Sequence, residues 1–269
     1  MTSNPRVTVL ITTYNGTPEL SDAIESVFRQ EYTDYELLII NDGSTDCTSE
    51  LLSKYNDPRM RIINQSNRGR ARALARGLRL ARGEYVAILD DDDLMDELRL
   101  RRQVEVLEAS EDLAAVGSWY AVHQVDRNER RVIRPPTESS ALRRCLPRCN
   151  PYAHSAVTFR KAEAIAVGGY NEHLGSCIDY DLWVRLAAAG HRLGMIDEVL
   201  CTLRRSEELS SFAFSTRERV GYYQTMFQIR LRAASQLDVP AWHYIWPPVM
   251  LLKHFFKKDV IPNIQLSTG

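Results

Sequence analysis

The run Tyr85-Val86-Ala87-Ile88-Leu89-Asp90-Asp91-Asp92-Asp93 is the most informative part of the sequence. Five hydrophobic residues predict a short buried strand, and this strand leads into four consecutive aspartates. At the carboxyl end of a parallel strand, hard oxygen ligands of this kind suit magnesium or manganese that clamps a diphosphate. The alternative is a solvated acidic turn that caps the next helix, because aspartate is a good N-cap residue.

A second hydrophobic run, Glu36–Ile40, also ends in polar residues. It leads into Asn41–Asp46, a turn that precedes a helix start. Ordinary turn and cap chemistry also accounts for this sequence. Because the carboxyl ends of parallel strands meet at one edge of a sheet, however, both strands would deliver a carboxylate to the same place. One carboxylate could then accept hydrogen bonds from a base or ribose while the other binds metal.

Strand and helix patterns alternate over the first part of the chain. The strand patterns are Val7–Ile11, Glu36–Ile40, Arg61–Asn64 and Tyr85–Leu89. This alternation predicts right-handed βαβ units and an α/β fold, a single Rossmann-like domain with a mostly parallel central sheet. Further along, the sequence predicts a hairpin around 126–129, a polar loop from Pro135 to about Asn150, a strand at Ala156–Arg160 and a helix at Ile178–Ala189.

Composition limits the classes of protein that the chain can belong to. Its 269 residues, 44% of them hydrophobic, are enough for one large domain, and a net charge of −1 gives no argument for nucleic acid as a partner. The five cysteines are scattered, which favours reduced thiols. Met1–Arg6 passes directly into a strand without a signal-peptide pattern, and no hydrophobic run approaches the roughly 20 residues of a membrane-spanning helix. These features predict a cytoplasmic protein.

Several ordered motifs resemble one known family. They are Val7–Asn15, Asn41–Asp46, Asn67–Gly69, Ala81–Tyr85 with the aspartates that follow, Val167–Tyr170 and Asp179–Trp183. Each is weak singly, but their order resembles the inverting, nucleotide-sugar-dependent family 2 glycosyltransferases, which have the A-type glycosyltransferase fold. The resemblance implies a glycosyltransferase domain over residues 1–210 and a C-terminal helical extension over residues 211–269.

The resemblance also implies which residues bind the donor. Asp90-Asp91-Asp92 matches the DXD motif of the family, in which Asp92 is the expected ligand of manganese or magnesium, Asp93 is an additional candidate and Asp90 lies nearer the ribose. Thr13, Tyr14 and Asp42 match the base and ribose site. The full set of nucleotide-binding candidates is Thr13, Tyr14, Asn15, Asp42, Arg72, Asp90, Asp91, Arg204 and Arg205.

Asp179 falls where the family places its catalytic base. A sugar hydroxyl is too weakly acidic to attack an anomeric carbon unaided, so a carboxylate must accept its proton. The alternative is an acidic first-turn residue favoured by the helix dipole, and the neighbouring Asp181 is expected to be structural. His154 lies in a region that the family uses near the acceptor, although a histidine satisfied within the core is an equal alternative.

The chain departs from the family pattern at four places, of which Thr12, where the first-strand motif usually carries proline, is expected to be tolerated. Leu74 and Ala75 replace an Arg-Asn pair, so Arg72 or Arg76 is expected to take over the support of the nucleotide or the aspartates. Ile178 replaces the glutamate that usually precedes the base. The element that begins at Arg204 and Arg205 lacks the usual histidine, which leaves these arginines as candidate diphosphate contacts.

The C-terminal part predicts a helix at Phe214–Leu237, followed by Trp242–Lys258, which combines aromatic, aliphatic and lysine residues. This second segment suits peripheral contact with the inner face of the cell membrane, and equally suits packing on the domain or a homodimer.

The expected function is transfer of a sugar from a UDP-linked donor to a hydroxyl of a glycan or lipid-linked glycan. The rival functions are a nucleotidyltransferase of similar fold and a non-catalytic nucleotide-binding protein.

Overall fold

The described part of the chain consists of residues 4–206 and 216–237 of a computed structural model. Its strands are β1 (Val7–Thr13), β2 (Tyr35–Asn41), β3 (Met60–Asn64), β4 (Tyr85–Ile88), β5 (Leu94–Met95), β6 (Leu113–Gln124), β7 (Glu129–Ile133), β8 (Thr158–Arg160) and β9 (Arg192–Arg205). Its helices are α1 (Glu19–Phe28), α2 (Thr48–Leu52), α3 (Arg70–Leu80), α4 (Arg99–Glu108), α5 (Ser139–Cys145), α6 (Lys161–Ala166), α7 (Ile178–Ala188) and α8 (Thr216–Gln236).

One sheet runs through the molecule in the order β3-β2-β1-β4-β8-β6-β9-β5, and β7 pairs with β6. The predicted parallel arrangement holds from β3 to β4. Beyond β4 the pairing becomes mixed, because β8 is antiparallel to both β4 and β6 whereas β6 and β9 are parallel. The mixed α/β architecture agrees with the predicted fold class, and the parallel half brings the carboxyl ends of β1, β2 and β4 to one edge.

Alternate residues of the central strands enter two hydrophobic cores, one on each face of the sheet. Leu10 and Leu38 face the core beneath α3, whereas Val9 and Leu37 face the core beneath α1. This is why the strand sequences are continuously hydrophobic. Helix α3 lies so close to β1 that a Cβ atom on Gly77 would come within 2.4 Å of Leu10 Cδ1.

The same packing explains the Leu74-Ala75 departure. Both side chains are buried in the core beneath α3, with 1% and 4% of their surface exposed. Hydrophobic packing therefore occupies the positions that carry a polar pair in the family pattern.

The region from Pro135 to Asn150 is not the continuous loop that the sequence predicts, because it contains helix α5. Leu142 and Leu146 are buried on its inner face. Arg143 donates hydrogen bonds to the carbonyl oxygens of Ala187 (2.6 Å) and Leu237 (3.1 Å), which ties α5 to the ends of α7 and α8. The loop interpretation was wrong here because the hydrophobic face of α5 consists of only two leucines, and the residues around them are mostly polar.

Helix α8 corresponds to the predicted C-terminal helix and packs on α7. Ile229 and Ala233 of α8, and Leu237 directly after it, are buried in the core that also holds Trp183 of α7. Among the described helices, none is both long and hydrophobic enough to cross a bilayer. The segment Trp242–Lys258 lies outside the described residues, and the division of domains near residue 210 stays a prediction.

Candidate active site

The ends of β1, β2 and β4 form one edge, as the sequence analysis expects. Thr13 is in register with Asn41, and the amide of Asp42 donates to Thr13 O at 2.9 Å. Asp90 follows β4, the neighbour of β1 on its other side. The geometry thus places Thr13, Asp42 and Asp90 at the same edge of the sheet.

The aspartate turn (Asp90–Asp93) connects β4 to β5, and the amide of Asp93 closes it by donating to Asp90 O at 3.2 Å. Asp90, Asp92 and Asp93 can each turn one carboxylate oxygen to a common point, because these oxygens lie within 4.8 Å of one another. Three hard oxygen ligands around one point fit a divalent cation such as Mg²⁺ or Mn²⁺.

Asp93 is the most enclosed member of this turn, with none of its surface exposed. Its carboxylate accepts hydrogen bonds from Ser155 Oγ (2.5 Å), the amide of Arg204 (3.0 Å) and Arg205 Nη1 (3.3 Å). Burial, and secondarily the negative charge of Asp90, raise the pKa of Asp93 to about 7. Asp93 is thus both part of the carboxylate cluster and a fixed point of the surrounding structure.

Asp90 carries the strongest ion pair of the turn. Its Oδ1 lies 2.5 Å from Arg70 Nη2 and 3.6 Å from His154 Nδ1. Burial alone would raise the pKa of Asp90, but the Arg70 guanidinium and His154 hold it well below its usual range. Asp90 therefore remains charged inside the site.

His154 uses both ring nitrogens within the protein. Nδ1 lies 3.1 Å from Arg70 Nη2, and Nε2 lies 2.9 Å from Tyr170 Oη. Only 8% of its side chain is exposed. This arrangement agrees with the alternative of a satisfied histidine, and the acceptor role stays a prediction.

Asp91 faces the end of β1. A Cβ atom on Gly16 would lie 2.2 Å from Thr13 Oγ1 and 2.6 Å from Asp91 Oδ2, so the absence of a side chain at Gly16 lets these two groups approach. Burial raises the pKa of Asp91 to about 6, with further contributions from the charges of Asp90 and Asp92. The pKa of Asp92 is also raised, by burial first and then by Asp90. The turn carries more negative charge than its surroundings compensate.

Asp42, in contrast, is fully supplied with donors. Its buried carboxylate accepts hydrogen bonds from Gln65 Nε2 (2.6 Å), the amide of Arg68 (2.9 Å) and the amide of Gly69 (2.8 Å). These contacts fix the loop that enters α3. Asp42 therefore shapes the edge of the sheet from within, next to the place where the nucleotide is expected.

Tyr14 and Asn15 extend beyond the end of β1. Asn15 adopts a left-handed backbone conformation, and its Oδ1 accepts a hydrogen bond from the amide of Thr45 at 2.8 Å. This contact holds the turn after β2 against β1. Tyr14 is 49% exposed at the same edge, which leaves its ring available to a planar base.

Arg204 and Arg205 approach the aspartate turn in different ways. The Arg204 side chain donates to Asp92 O (2.6 Å), Asp22 Oδ2 (2.6 Å) and Glu19 O (3.0 Å), so it braces the turn against α1. Arg205 lies 3.3 Å from Asp93 Oδ1 and 3.6 Å from Asp92 Oδ2, with 37% of its side chain exposed. Arg205 is the better placed of the two to meet a diphosphate.

Arg72 lies on the exposed side of α3, and Arg70, two residues earlier, makes the contact with Asp90. The nucleotide role of Arg72 stays a prediction. Arg76 supports the edge through a different residue, because its Nη1 donates to Gln65 Oε1 at 2.8 Å.

Asp179 lies in the first turn of α7, half-buried, and accepts a hydrogen bond on Oδ2 from Asn150 Nδ2 at 2.7 Å. No other described residue hydrogen-bonds this carboxylate. Its charge, after that of Asp90, helps to raise the pKa of Arg70, so both carboxylates act on one guanidinium.

Asp181, two residues later, is buried and paired with Arg185 (2.8 Å) and Arg232 (2.7 Å). It links α7 to α8, as the structural interpretation expects.

Three residues that contact the aspartates of the site are absent from the candidates predicted from the sequence: Arg70, Asn150 and Ser155. Arg70 stands in a dense arginine run, which was a usable signal. Ser155 accepts the amide hydrogen of Asp90 at 3.1 Å while it donates to Asp93, and Asn150 holds Asp179. Neither residue belongs to a recognisable motif, so nothing in the sequence identifies it.

Comparison with known families decides the class of protein. The model of glycosyl transferase family 2 matches residues 8–166, which contain β1, β2, the loop that enters α3 and the aspartate turn. The chain belongs to this family. Asp179 and Arg205 lie beyond the matched region, so their roles rest on the geometry.

Two curated relatives extend the match along the chain. EpsE of Bacillus subtilis is 28% identical over 97% of this chain and 93% of its own length. The UDP-Gal:alpha-D-GlcNAc-diphosphoundecaprenol beta-1,3-galactosyltransferase of Escherichia coli is 31% identical over 76% of this chain and 76% of its own length.

Solved structures share the fold. S. aureus TarS 1-349 in complex with UDP-GlcNAc has a TM-score of 0.73 at 19% identity, covering 93% of this chain and 72% of that one. The mannosyltransferase PcManGT from Pyrobaculum calidifontis, in complex with GDP-Man and Mn²⁺, has a TM-score of 0.63 at 20% identity, covering 96% and 77%. The fold is that of A-type glycosyltransferases.

Proposed function

We propose that this protein transfers a sugar, with inversion, from a UDP-linked donor to a hydroxyl of a glycan or lipid-linked glycan. One observation carries the proposal: the metal-competent aspartate turn is ion-paired with Arg70, and the charge of the sparsely bonded Asp179 acts on the same guanidinium. The E. coli relative supports both the UDP-linked donor and the diphosphate-linked lipid acceptor. Family membership favours transfer over nucleotide-sugar synthesis.

The donor would lie along the edge of the sheet. Tyr14 would stack on the base, Thr13 and the loop held by Asp42 would surround the nucleoside, and Asp90 would accept hydrogen bonds from the ribose. Arg205 would contact the diphosphate, because its guanidinium already faces the turn and is partly exposed. The remaining candidates, Asn15, Asp91, Arg72 and Arg204, would act at the margins of this site or through the residues that they hold.

Asp92, with Asp90 and Asp93, would hold the metal. The donor set fits, because it consists of carboxylate oxygens. Burial, and after it the charges of neighbouring aspartates, raise the pKa values of Asp91, Asp92 and Asp93, and a cation would favour the charged forms of these groups. A bound Mg²⁺ or Mn²⁺ would supply Lewis-acid neutralisation of the departing diphosphate. The manganese complex of PcManGT supports this choice of cofactor.

Asp179 would act as the general base. The acceptor hydroxyl oxygen forms its bond to the anomeric carbon while its proton moves to the Asp179 carboxylate, and the bond to the diphosphate oxygen breaks with its electron pair leaving on UDP. A single displacement of this kind inverts the anomeric centre. Asn150 Nδ2 holds Oδ2, which leaves Oδ1 to accept the proton.

We further propose that the protein is cytoplasmic, that it contacts the membrane peripherally and that it forms a homodimer. A lipid-linked acceptor places the reaction at a membrane surface, which is where an interfacial segment such as Trp242–Lys258 would serve.

The test is metal-dependent stabilisation by nucleotide sugars. A panel of UDP-sugars and GDP-mannose is screened by thermal unfolding with Mn²⁺ and with chelator, since saturating ligand at about a hundredfold over Kd adds about 2.7 kcal/mol. At least one UDP-sugar should stabilise the wild type only with Mn²⁺. Asp92→Ala should lose this effect and still fold, whereas Asp197→Asn, on the exposed part of β9, should keep it. Absence of any stabilisation by the panel overturns the proposal.

A further inference from the structure

A groove of about 570 Å³ opens beside the loop that follows β3. Its walls come from this loop and from the outer side of α3. The lining residues, which together define the arginine groove, are Gln65, Ser66, Arg68, Arg76, Arg79 and Leu80. Gln65 and Arg68 belong to the loop that Asp42 holds, but none of the residues proposed to contact the diphosphate or the metal lines the groove, and no carboxylate does.

The groove lies within a segment of unusual charge. From Arg68 to Arg82 the chain has six arginines and no aspartate or glutamate. Like charges three or four residues apart destabilise a helix, so such a segment needs negative partners. Within the described residues two of these arginines form ion pairs, Arg70 with Asp90 and Arg79 with Glu172 (2.7 Å).

The arginines of the groove are therefore under-compensated. Arg68 is exposed and has no ion pair with a described residue, and Arg76 directs Nη1 to the neutral amide oxygen of Gln65. Arg79 shares its charge with Glu172, but 60% of the Arg79 side chain is exposed. Three guanidinium groups thus border the groove, and the only carboxylate paired with them among the described residues is that of Glu172.

We propose that the arginine groove binds a phosphate-bearing group that is distinct from the diphosphate of the donor. Guanidinium groups match phosphate oxygens in pairs of parallel hydrogen bonds, and three of them around one groove suit a dianionic group better than a carboxylate. The hydroxyl of Ser66 adds a neutral donor. The inference rests on the groove alone and holds whether or not the chain transfers a sugar.

Two sources of phosphate are distinguished by two probes, both used with chelator so that no metal bridges anions to the aspartates. Inorganic pyrophosphate, titrated by calorimetry, represents a soluble phosphate ester. Vesicles of phosphatidylcholine with about one-third phosphatidylglycerol, compared with pure phosphatidylcholine in co-sedimentation, represent lipid headgroups.

The decisive variant is Arg68→Gln/Arg79→Gln, which removes one unpaired and one ion-paired exposed arginine. The matched control is Arg130→Gln/Arg192→Gln, which removes the same charge elsewhere: Arg130 is exposed on β7, and Arg192 pairs with Asp112 at 3.0 Å. Arg68→Gln alone serves if the double variant does not fold. Metal-dependent UDP-sugar binding, measured on the same preparations, reports separately on the proposed transferase function.

Wild type should bind at least one probe, and the groove variant should bind it at least about tenfold more weakly, since each arginine near an anionic surface contributes about a factor of five. The control should stay near wild type. Pyrophosphate binding identifies a soluble ligand, and binding to vesicles alone identifies a headgroup. Failure of wild type to bind either probe, wild-type binding by the groove variant, or an equal loss in the control overturns the proposal and leaves an ordinary solvated helix face.

Discussion

Asp42 and the aspartate turn lie at the same edge of the sheet, but the chain compensates them differently. Asp42 is one carboxylate with three neutral donors from the loop that enters α3. The turn has four carboxylates and two guanidiniums, those of Arg70 and Arg205, and the pKa values of three of its members are raised. Burial alone therefore does not mark a functional carboxylate. The balance between charge and internal donors separates Asp42, whose carboxylate is satisfied within the protein, from the aspartates that are proposed to bind a ligand.

Asp179 belongs with the under-compensated group, because one amide is its only described hydrogen-bond partner. Asp179→Asn keeps the shape but cannot accept a proton, so transfer should fall by about 10²–10⁴ while donor affinity stays near wild type. Single-turnover transfer to an acceptor found by screening, measured beside donor affinity, checks this. If wild-type transfer persists, the base lies elsewhere; if donor binding is also lost, Asp179 is structural.

Alanine substitution tests whether Asp42 and the aspartate turn contribute differently to stability. Asp42→Ala leaves the amides of Arg68 and Gly69 and the side chain of Gln65 without their acceptor, so the free energy of unfolding should fall by about 2–3 kcal/mol without any ligand. Asp92→Ala relieves repulsion and should leave stability unchanged or higher. Urea unfolding in chelator compares the two variants. Equal losses of stability would remove the distinction between the two groups of carboxylates.

A substitution of Asn150 tests whether this residue positions Asp179 at the start of α7. If its amide orients Asp179, Asn150→Ala should lower kcat by about tenfold, the cost of one hydrogen bond of about 1.4 kcal/mol, while the KM for the donor stays the same. Steady-state kinetics over donor concentration separates the two constants. A rise in KM with unchanged kcat would show instead that Asn150 supports the donor site.

A further expected effect is on stability as a function of pH. The pKa of Asp93 is about 7 in the folded protein against 3.8 for the free group, so the folded state binds more protons between these values. Stability in chelator should therefore decrease as pH rises from about 4 to about 7. Asp93→Asn should flatten this decrease, and Mn²⁺ should offset it in the wild type. Denaturant unfolding at several pH values checks this, and equal slopes for variant and wild type would contradict it.

The sequence predicts the edge of the sheet well because local patterns determine it. Strands β1, β2 and β4 are continuous hydrophobic runs, and their polar ends follow from chain direction alone. Helix α5 was missed because two buried leucines in a polar segment give too little periodicity. The partners that complete the site, Asn150 and Ser155, lie 29 and 62 residues from the aspartates that they contact, so only the tertiary structure brings them together.

The bracing of the aspartate turn by Arg204 also sets an order of assembly. Arg204 contacts Glu19 across 185 residues and supplies the amide that Asp93 accepts across 111 residues. During synthesis, at about 5–20 residues per second, β1 through β4 emerge many seconds before β9. The nascent chain can pair its parallel strands early, but Asp93 gains two of its three donors only when β9 arrives. A ribosome-bound chain that stops short of Arg204 would therefore hold an unfinished, highly charged turn, and the ability to hold metal would be acquired last.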